Sequence, residues 1–166
     1  METAHLKLEP NDPRQILTFV EDQMGVAGLL GRQVADGIRT YLLSASPEFF
    51  EGLRTASGPD PWRFGYVIIE KENDLVIGQC GFTGPPDESG TIEIAYSIAP
   101  AYQGRGYATE AAQALIEIAR QEPKVRLICA HTLAERNAST RVLEKCGLRK
   151  VGEASEEGLP IWRWEL

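Results

Sequence analysis

The sequence predicts an α+β domain built on a mixed, mostly antiparallel sheet of about seven strands flanked by helices. Residues 62–98 hold three β-rich runs joined by short polar turns, the pattern of an antiparallel meander. An amphipathic stretch, 106–121, lies between the last of these runs and a further apolar run at 126–132. A strand–helix–strand crossover of that kind sets its two strands parallel. Both kinds of pairing in one chain give the mixed sheet.

Each element has its own reason. Residues 5–9 alternate Leu6 and Leu8 with polar neighbours, a short first strand. Asn11, Asp12 and Pro13 supply a cap and a first-turn proline, so a helix starts there with Ile16, Leu17 and Val20 on one side. Leu29, Leu30, Val34, Ile38, Tyr41 and Leu42 lie roughly on one helical face, and Phe49, Phe50 and Leu53 form a second short amphipathic piece. Gly58-Pro59-Asp60-Pro61 breaks the chain. Aromatic and β-branched residues then make 62–70 a strand, and the polar turn 71–74 leads to a second at 75–82. In 91–98, Ile92, Ile94, Tyr96 and Ile98 take one face and Thr91, Glu93, Ala95 and Ser97 the other. Ala108, Ala112, Leu115 and Ala119 recur at helical spacing, and Pro123 stops that helix. Asn137 caps a later helix that Gly147 ends. Residues 148–153 and 161–166 close the sheet around a polar turn at 154–160.

Composition narrows the function classes. The chain has 166 residues, 43% of them hydrophobic, which suits a single domain with its own core. A net charge of -7 repels nucleic acid and anionic membranes, so neither is an expected partner. Cys80, Cys129 and Cys146 are odd in number and widely spaced, and the histidines are only His5 and His131, so neither a disulfide framework nor a metal site is expected. No signal-like start and no apolar run of about 18 residues occurs, and a cytoplasmic protein is the default expectation.

The chemistry concentrates in Tyr102-Gln103-Gly104-Arg105-Gly106-Tyr107-Ala108-Thr109, between a strand and a helix. Two glycines let a ligand approach the main chain. The first amides of the helix lack internal partners and sit at its positive end, a site for phosphate or pyrophosphate. Arg105 adds a charge at the rim. No Gly-Lys-Ser/Thr follows, and Thr109 stands where a dinucleotide fingerprint would have its third glycine. By spacing alone, a capping turn with no ligand remains open.

Residues 93–111 resemble the acetyl-CoA-binding core of the GNAT acetyltransferase superfamily, whose pattern Gln103, Gly106 and Ala108 match. A second block, 137–148, resembles that family's later helix, and the opening 5–10 with the hairpin around Val76-Ile77-Gly78 is similar to the branch of ribosomal-protein N-terminal acetyltransferases. The resemblance covers 62–153 well and 25–57 poorly. It implies a GNAT-like fold, splayed between the fourth and fifth strands, and a single domain over 1–166. Within it, 91–122 forms the acetyl-CoA-binding core and 25–57 the acceptor-side helices. It implies acetyl-CoA as acyl donor and no metal. Cofactor-binding positions are then Ser97, Ile98, Ala99, Gln103, Gly104, Arg105, Gly106, Tyr107, Ala108, Thr109 and Asn137.

The implied reaction is attack of a neutral amine on a thioester in a ternary complex, the acceptor being a protein N-terminus or a small amine. A backbone amide on the Ile98 strand is the implied oxyanion donor. Glu93 is the candidate base, directly or through a water, against the alternative of a strand carboxylate paired with a neighbouring lysine or arginine. Many members place an acidic tyrosine where this chain has Leu143, and the branch suggests Ser139 as substitute, against a serine bonded to its own helix. Glu153, Glu156 and Glu157 could draw a cation to the acceptor pocket, or simply form a solvated turn. The departure at Leu143 motivates a different reading, a non-catalytic acyl-CoA sensor. Family members are often dimers, so a homodimer is compatible with the resemblance.

Overall fold

In the computed structural model, which describes residues 1–22, 28–156 and 158–166, seven strands form one open sheet. The strands are β1 Leu6–Pro10, β2 Tyr66–Glu70, β3 Leu75–Phe82, β4 Thr91–Ile98, β5 Leu127–Leu133, β6 Arg149–Glu156 and β7 Leu159–Glu165, in the order β1-β2-β3-β4-β5-β7-β6. Every neighbouring pair is antiparallel except β4–β5. That parallel pair is joined by the long helix α5, Tyr107–Arg120, as its connection requires.

The helices α1 Pro13–Glu21, α2 Ile38–Leu43, α3 Pro47–Thr55, α4 Pro61–Phe64 and α6 Ala138–Lys145 complete the fold. The sheet carries a core on each face. On one, Leu6, Leu8, Ile68, Ile77, Ile92, Ile94 and Ile98 pack with Ala112, Leu115 and Ala119 of α5 and Leu143 of α6. On the other, Val67, Ile69 and Val76 pack with Ile16 and Phe19 of α1, Ile38 and Leu42 of α2 and Leu53 of α3. β2 is buried at every position because both faces are covered.

Three expectations change. Residues 62–64 are a helical turn rather than strand. The Asp60 side chain accepts from Trp62 N–H, Pro61 opens the turn, and Gly65 at φ 65° redirects the chain into β2. The stretch from Leu29 to Leu42 is helical only from Ile38 onward. Leu30 at φ 52° and Gly31 at φ 73° turn it, and Val34 forms a parallel bridge to Val76. Residues 25–27 of the expected acceptor-side segment lie outside the described residues. At 154–160 the strands β6 and β7 run almost to the tip, so the expected long polar turn is short.

Candidate active site

β4 and β5 pair only from Thr91↔Leu127 to Glu93↔Cys129, and beyond that point they part. Backbone direction along β4 follows from its bonds to β3. Thr83 N–H donates to Glu93 O and Ala99 N–H to Ile77 O, so odd-numbered residues turn their amides and carbonyls towards β3. Residues 94, 96 and 98 therefore turn theirs into the gap. The N–H of Ile98 faces the space where β5 has withdrawn.

At the mouth of the gap stands the N-terminus of α5. Pro100–Tyr102 forms a single turn, and Gly104 at φ 76° and Gly106 at φ 88° carry the chain into the helix. A side chain at either glycine would meet nothing within 4 Å, so the turn is open on its outer side. Among the described residues, the backbone N–H groups of Gly104 through Thr109 donate to nothing; the first amide with a partner is Glu110, to Gly106 O. A row of unpaired N–H groups at the positive end of a fourteen-residue helix fits a diphosphate. Arg105 lies at the rim, its Nη2 donating to Ala101 O at 3.1 Å and its guanidinium over the Tyr102 ring.

Gln103 does something the motif alone does not state. Its Nε2 donates to Ile98 O at 2.9 Å, fastening the turn to the end of β4. Tyr107 is likewise committed to the protein, donating to Glu70 Oε1 at 2.7 Å. Asn73 donates to the other Glu70 oxygen, and these two bonds hold this buried carboxyl below its ordinary range. Glu110, in the first turn of α5, accepts from Thr3 Oγ1, from the backbone N–H of His5 and Leu6, and pairs with His5 Nδ1. Burial raises its pKa, but these bonds together bring it below the usual carboxylate value. Both acids near the helix N-terminus are thus occupied by the protein's own donors.

On the opposite side of the sheet, a cavity of about 850 Å³ opens between α2, α3, α4 and β3–β4. Tyr41, Leu42, Phe49 and Phe64 are among its apolar lining residues, and it reaches β4 at Ala95. It draws on the expected acceptor-side segment between Tyr41 and Gly52, whereas the described residues of 154–160 do not line it. Glu153 is instead paired with Lys150, Glu156 sits on exposed β6, and Glu157 lies outside the described residues.

Glu93 shares a face with Ala95 and Ser97, and among the described residues it forms an ion pair with neither lysine nor arginine. His131 of β5 points at it, Nδ1 to Glu93 Oε1 at 2.8 Å. Both are partly exposed, at 23% and 29% of their side-chain area, so the dyad opens to solvent. Asn137 accepts from Thr140 N–H, and the Thr140 hydroxyl answers with a bond from Asn137 N–H, a complete capping box. Ser139 is half-buried; its carbonyl lies 3.4 Å from the Tyr96 hydroxyl, while its own hydroxyl bonds nothing among the described residues. Burial pushes the Tyr96 phenol up, so it stays protonated. Leu143 is fully buried in the α5–α6 core. Cys80 and Cys129 are buried free thiols and Cys146 is half-buried. Among the described residues there is no group of three or more His, Cys, Asp or Glu placed to hold a metal.

Parted strands, a row of free N–H groups at one mouth of the gap and a cavity on the opposite face of the sheet meet in this region. Residues 7–149 match the acetyltransferase (GNAT) domain family, and the chain belongs to it. It is 31% identical over 151 residues to the uncharacterized N-acetyltransferase YjdG of Bacillus subtilis (strain 168), covering 89% of this chain and 88% of that protein. The fold is shared with a GNAT-family acetyltransferase from Bacillus anthracis, with a TM-score of 0.66 at 18% identity over 100% of this chain and 96% of the other. It is shared also with ribosomal-protein-S5-alanine acetyltransferase from Vibrio fischeri, with a TM-score of 0.65 at 17% identity over 100% and 94% of the two chains. The chain is an acetyltransferase, and no helix among its described residues is long and apolar enough to cross a membrane.

Sequence reasoning did not find His131, Gln79 or Glu70 as parts of this region. Each acts through a partner brought close by strand register or by docking of α5, and no local spacing marks such a pair.

Proposed function

We propose that the protein transfers the acetyl group of acetyl-CoA to a primary amine by direct attack in a ternary complex, and that the acceptor is the α-amine of a polypeptide N-terminus. The observation that carries this is the row of unpaired N–H groups from Gly104 to Thr109 at the mouth of the β4–β5 gap. Acetyl-CoA supplies the thioester carbonyl. Gly104 to Thr109 grip the diphosphate, with Arg105 at the rim. Ser97, Ile98 and Ala99 align the arm along β4, and Ile98 N–H, which faces the gap, polarises the carbonyl and holds the developing oxyanion. Asn137 orients the arm from the far side while capping α6.

Glu93 removes the amine proton. Ala95 borders the acceptor cavity, and two residues of strand span roughly 7 Å, so Glu93 acts through an intervening water. His131 holds that carboxylate in place. Ser139 offers its free hydroxyl to the departing sulfur, which needs little help because a thiol of pKa about 8.5 leaves readily as thiolate.

The acceptor class follows from the cavity wall. Glu48 is its one carboxylate and Arg63 its one guanidinium among the lining residues. A polyamine calls for several carboxylates; an apolar, nearly neutral wall suits a chain end. An α-amine of pKa about 7.7 to 8.0 is roughly a tenth neutral at pH 7, against less than about one part in a thousand for lysine. A modest base behind one water then suffices. Thiol release from acetyl-CoA against N-terminal peptides, polyamines and aminoglycosides tests the reading: peptide turnover is expected, and binding of acetyl-CoA with no release against any amine would overturn it.

A further inference from the structure

Gln79 sits in β3 opposite Ser97, and Gly81 opposite Ala95, so these four residues share the sheet face that floors the acceptor cavity. Gly81 carries no side chain because one there would come within 2.6 Å of the Gly65 Cα. The floor beside Gln79 is therefore bare backbone, and the Gln79 amide is its one polar side chain on β3.

That amide is oriented by Asn11. Asn11 N–H donates to Gly65 O at 3.0 Å, and its Nδ2 donates to Phe64 O at 2.7 Å and to Gln79 Oε1 at 2.8 Å. A carbonyl oxygen accepts and never donates, so the end of Asn11 facing Phe64 O is its NH2 group, and the end of Gln79 facing that group is its oxygen. Gln79 thus presents Nε2 as the remaining group. Gln79 is only 5% exposed, it lines the cavity, and Nε2 has no acceptor among the described residues. A buried polar atom left unpaired is costly; Asn11 Oδ1 and Gln79 Nε2 are both without a partner among the described residues, and of the two only Gln79 lines the cavity.

Resting on the N-terminal acceptor reading, we propose that Gln79 Nε2 donates to the carbonyl oxygen of the acceptor's first residue and so selects amines that carry a carbonyl on the adjacent carbon. In an α-amino acyl group that oxygen is held close to the reacting nitrogen by the short N–Cα–C=O path. Ser97, directly across from Gln79, marks the part of β4 along which the acyl arm is aligned, so one bond from Gln79 places the amine towards the thioester. A polyammonium acceptor would instead set N–H against N–H, a repulsive contact that discriminates against it.

The test uses the whole protein in a thiol-release assay with two acceptors of matched shape, alaninamide and its hydrocarbon isostere 3-methylbutan-2-amine. Each acceptor is compared with itself across variants, so intrinsic amine reactivity cancels. Gln79→Leu is expected to lower kcat/KM for alaninamide about tenfold, the worth of one neutral hydrogen bond, and to change the isostere less than twofold. Gln79→Glu keeps the shape and the Asn11 bond but replaces donor by acceptor. It is expected to lose at least as much with alaninamide and to keep the isostere. The rise in melting temperature with acetyl-CoA, equal to that of the wild type, shows each variant folded. An unchanged alaninamide rate would mean that the amide holds only water, and parallel losses on both acceptors would mean that it only braces the sheet; either overturns the proposal. Wild-type protein that acetylates other amines but no α-amine overturns the acceptor reading itself, a result read without any variant.

Discussion

Replacing Gly106 by valine separates the cradle's two properties, its backbone shape and its openness. Gly106 has φ 88°, a region that costs an L-residue about 1–2 kcal/mol, and nothing lies within 4 Å of where a Cβ would stand. Without ligand the whole penalty is therefore backbone strain. For a chain of this size each kcal/mol shifts the melting temperature by about 2–4 °C, so the ligand-free protein is expected to melt roughly 2–8 °C lower. A ligand at 100 times its Kd stabilises by about 2.7 kcal/mol, and wild-type protein with saturating acetyl-CoA is expected to gain roughly 5–11 °C. A valine side chain would occupy open space at the turn that carries the free N–H groups, so Gly106→Val is expected to retain less than about a quarter of that gain. Gly31, at φ 73° and equally open, is the control: Gly31→Val carries similar strain and should keep the full ligand shift. Scanning calorimetry with and without acetyl-CoA measures both quantities. An undiminished ligand shift in Gly106→Val would refute the assignment of the diphosphate to this turn.

Further expectations attach to individual groups. Glu93→Gln is expected to lower kcat by roughly 10²–10⁴, and an unaltered pH–rate profile in that variant would remove Glu93 from proton transfer. Tyr107→Phe takes one of two partners from the buried Glu70 carboxylate and is expected to cost about 1–2 kcal/mol at pH 7. Because the folded pKa of Glu70 lies below its unfolded value of about 4.3, that contribution is present above pH 4.3 and fades as pH falls through the folded value; urea titrations at pH 7 and at pH 3 should show the gap between the two proteins shrinking. Asn137→Ala removes the α6 cap and the group that orients the arm, so it is expected to lower the melting temperature by about 2–4 °C and to weaken the Kd for CoA; an unchanged Kd would leave Asn137 a cap alone. Leu143→Tyr overfills a fully buried position, so a loss of about 1–3 kcal/mol without any rise in kcat is expected from denaturation and initial-rate measurements.

The parts of the fold that were legible in the sequence are those whose pattern is set by one neighbour. Strand β4 alternates because α5 covers Ile92, Ile94 and Ile98 while the other face looks to the cleft. Helix α5 shows its period because one side meets the sheet and the other meets solvent. The segment before α2 was not legible: Leu29, Val34 and Ile38 are all drawn to the core, but turns at Leu30, Gly31 and Gly37 reset the phase between them, so no single period describes them. Residues 62–64 carry the aromatic side chains that favour strands, but the Asp60 cap and Pro61 in the first turn make them helical. In the site, the phosphate turn was visible because its residues are contiguous. Glu93 and His131 stand 38 residues apart and meet only through the register of β4 on β5. Asn11 read as part of a helix start, yet Asp12 is the cap and Asn11 turns inward to Gln79, a choice made by the packing of β3 rather than by local sequence.

The bond from Gln103 to the Ile98 carbonyl makes the phosphate turn and the tail of β4 one mechanical unit. A donor gripped at its nucleotide end therefore has its reactive end brought into line by the same clasp. Shortened donors that lack the adenosine diphosphate should lose speed as well as grip, because the remote handle is what sets the angle of delivery.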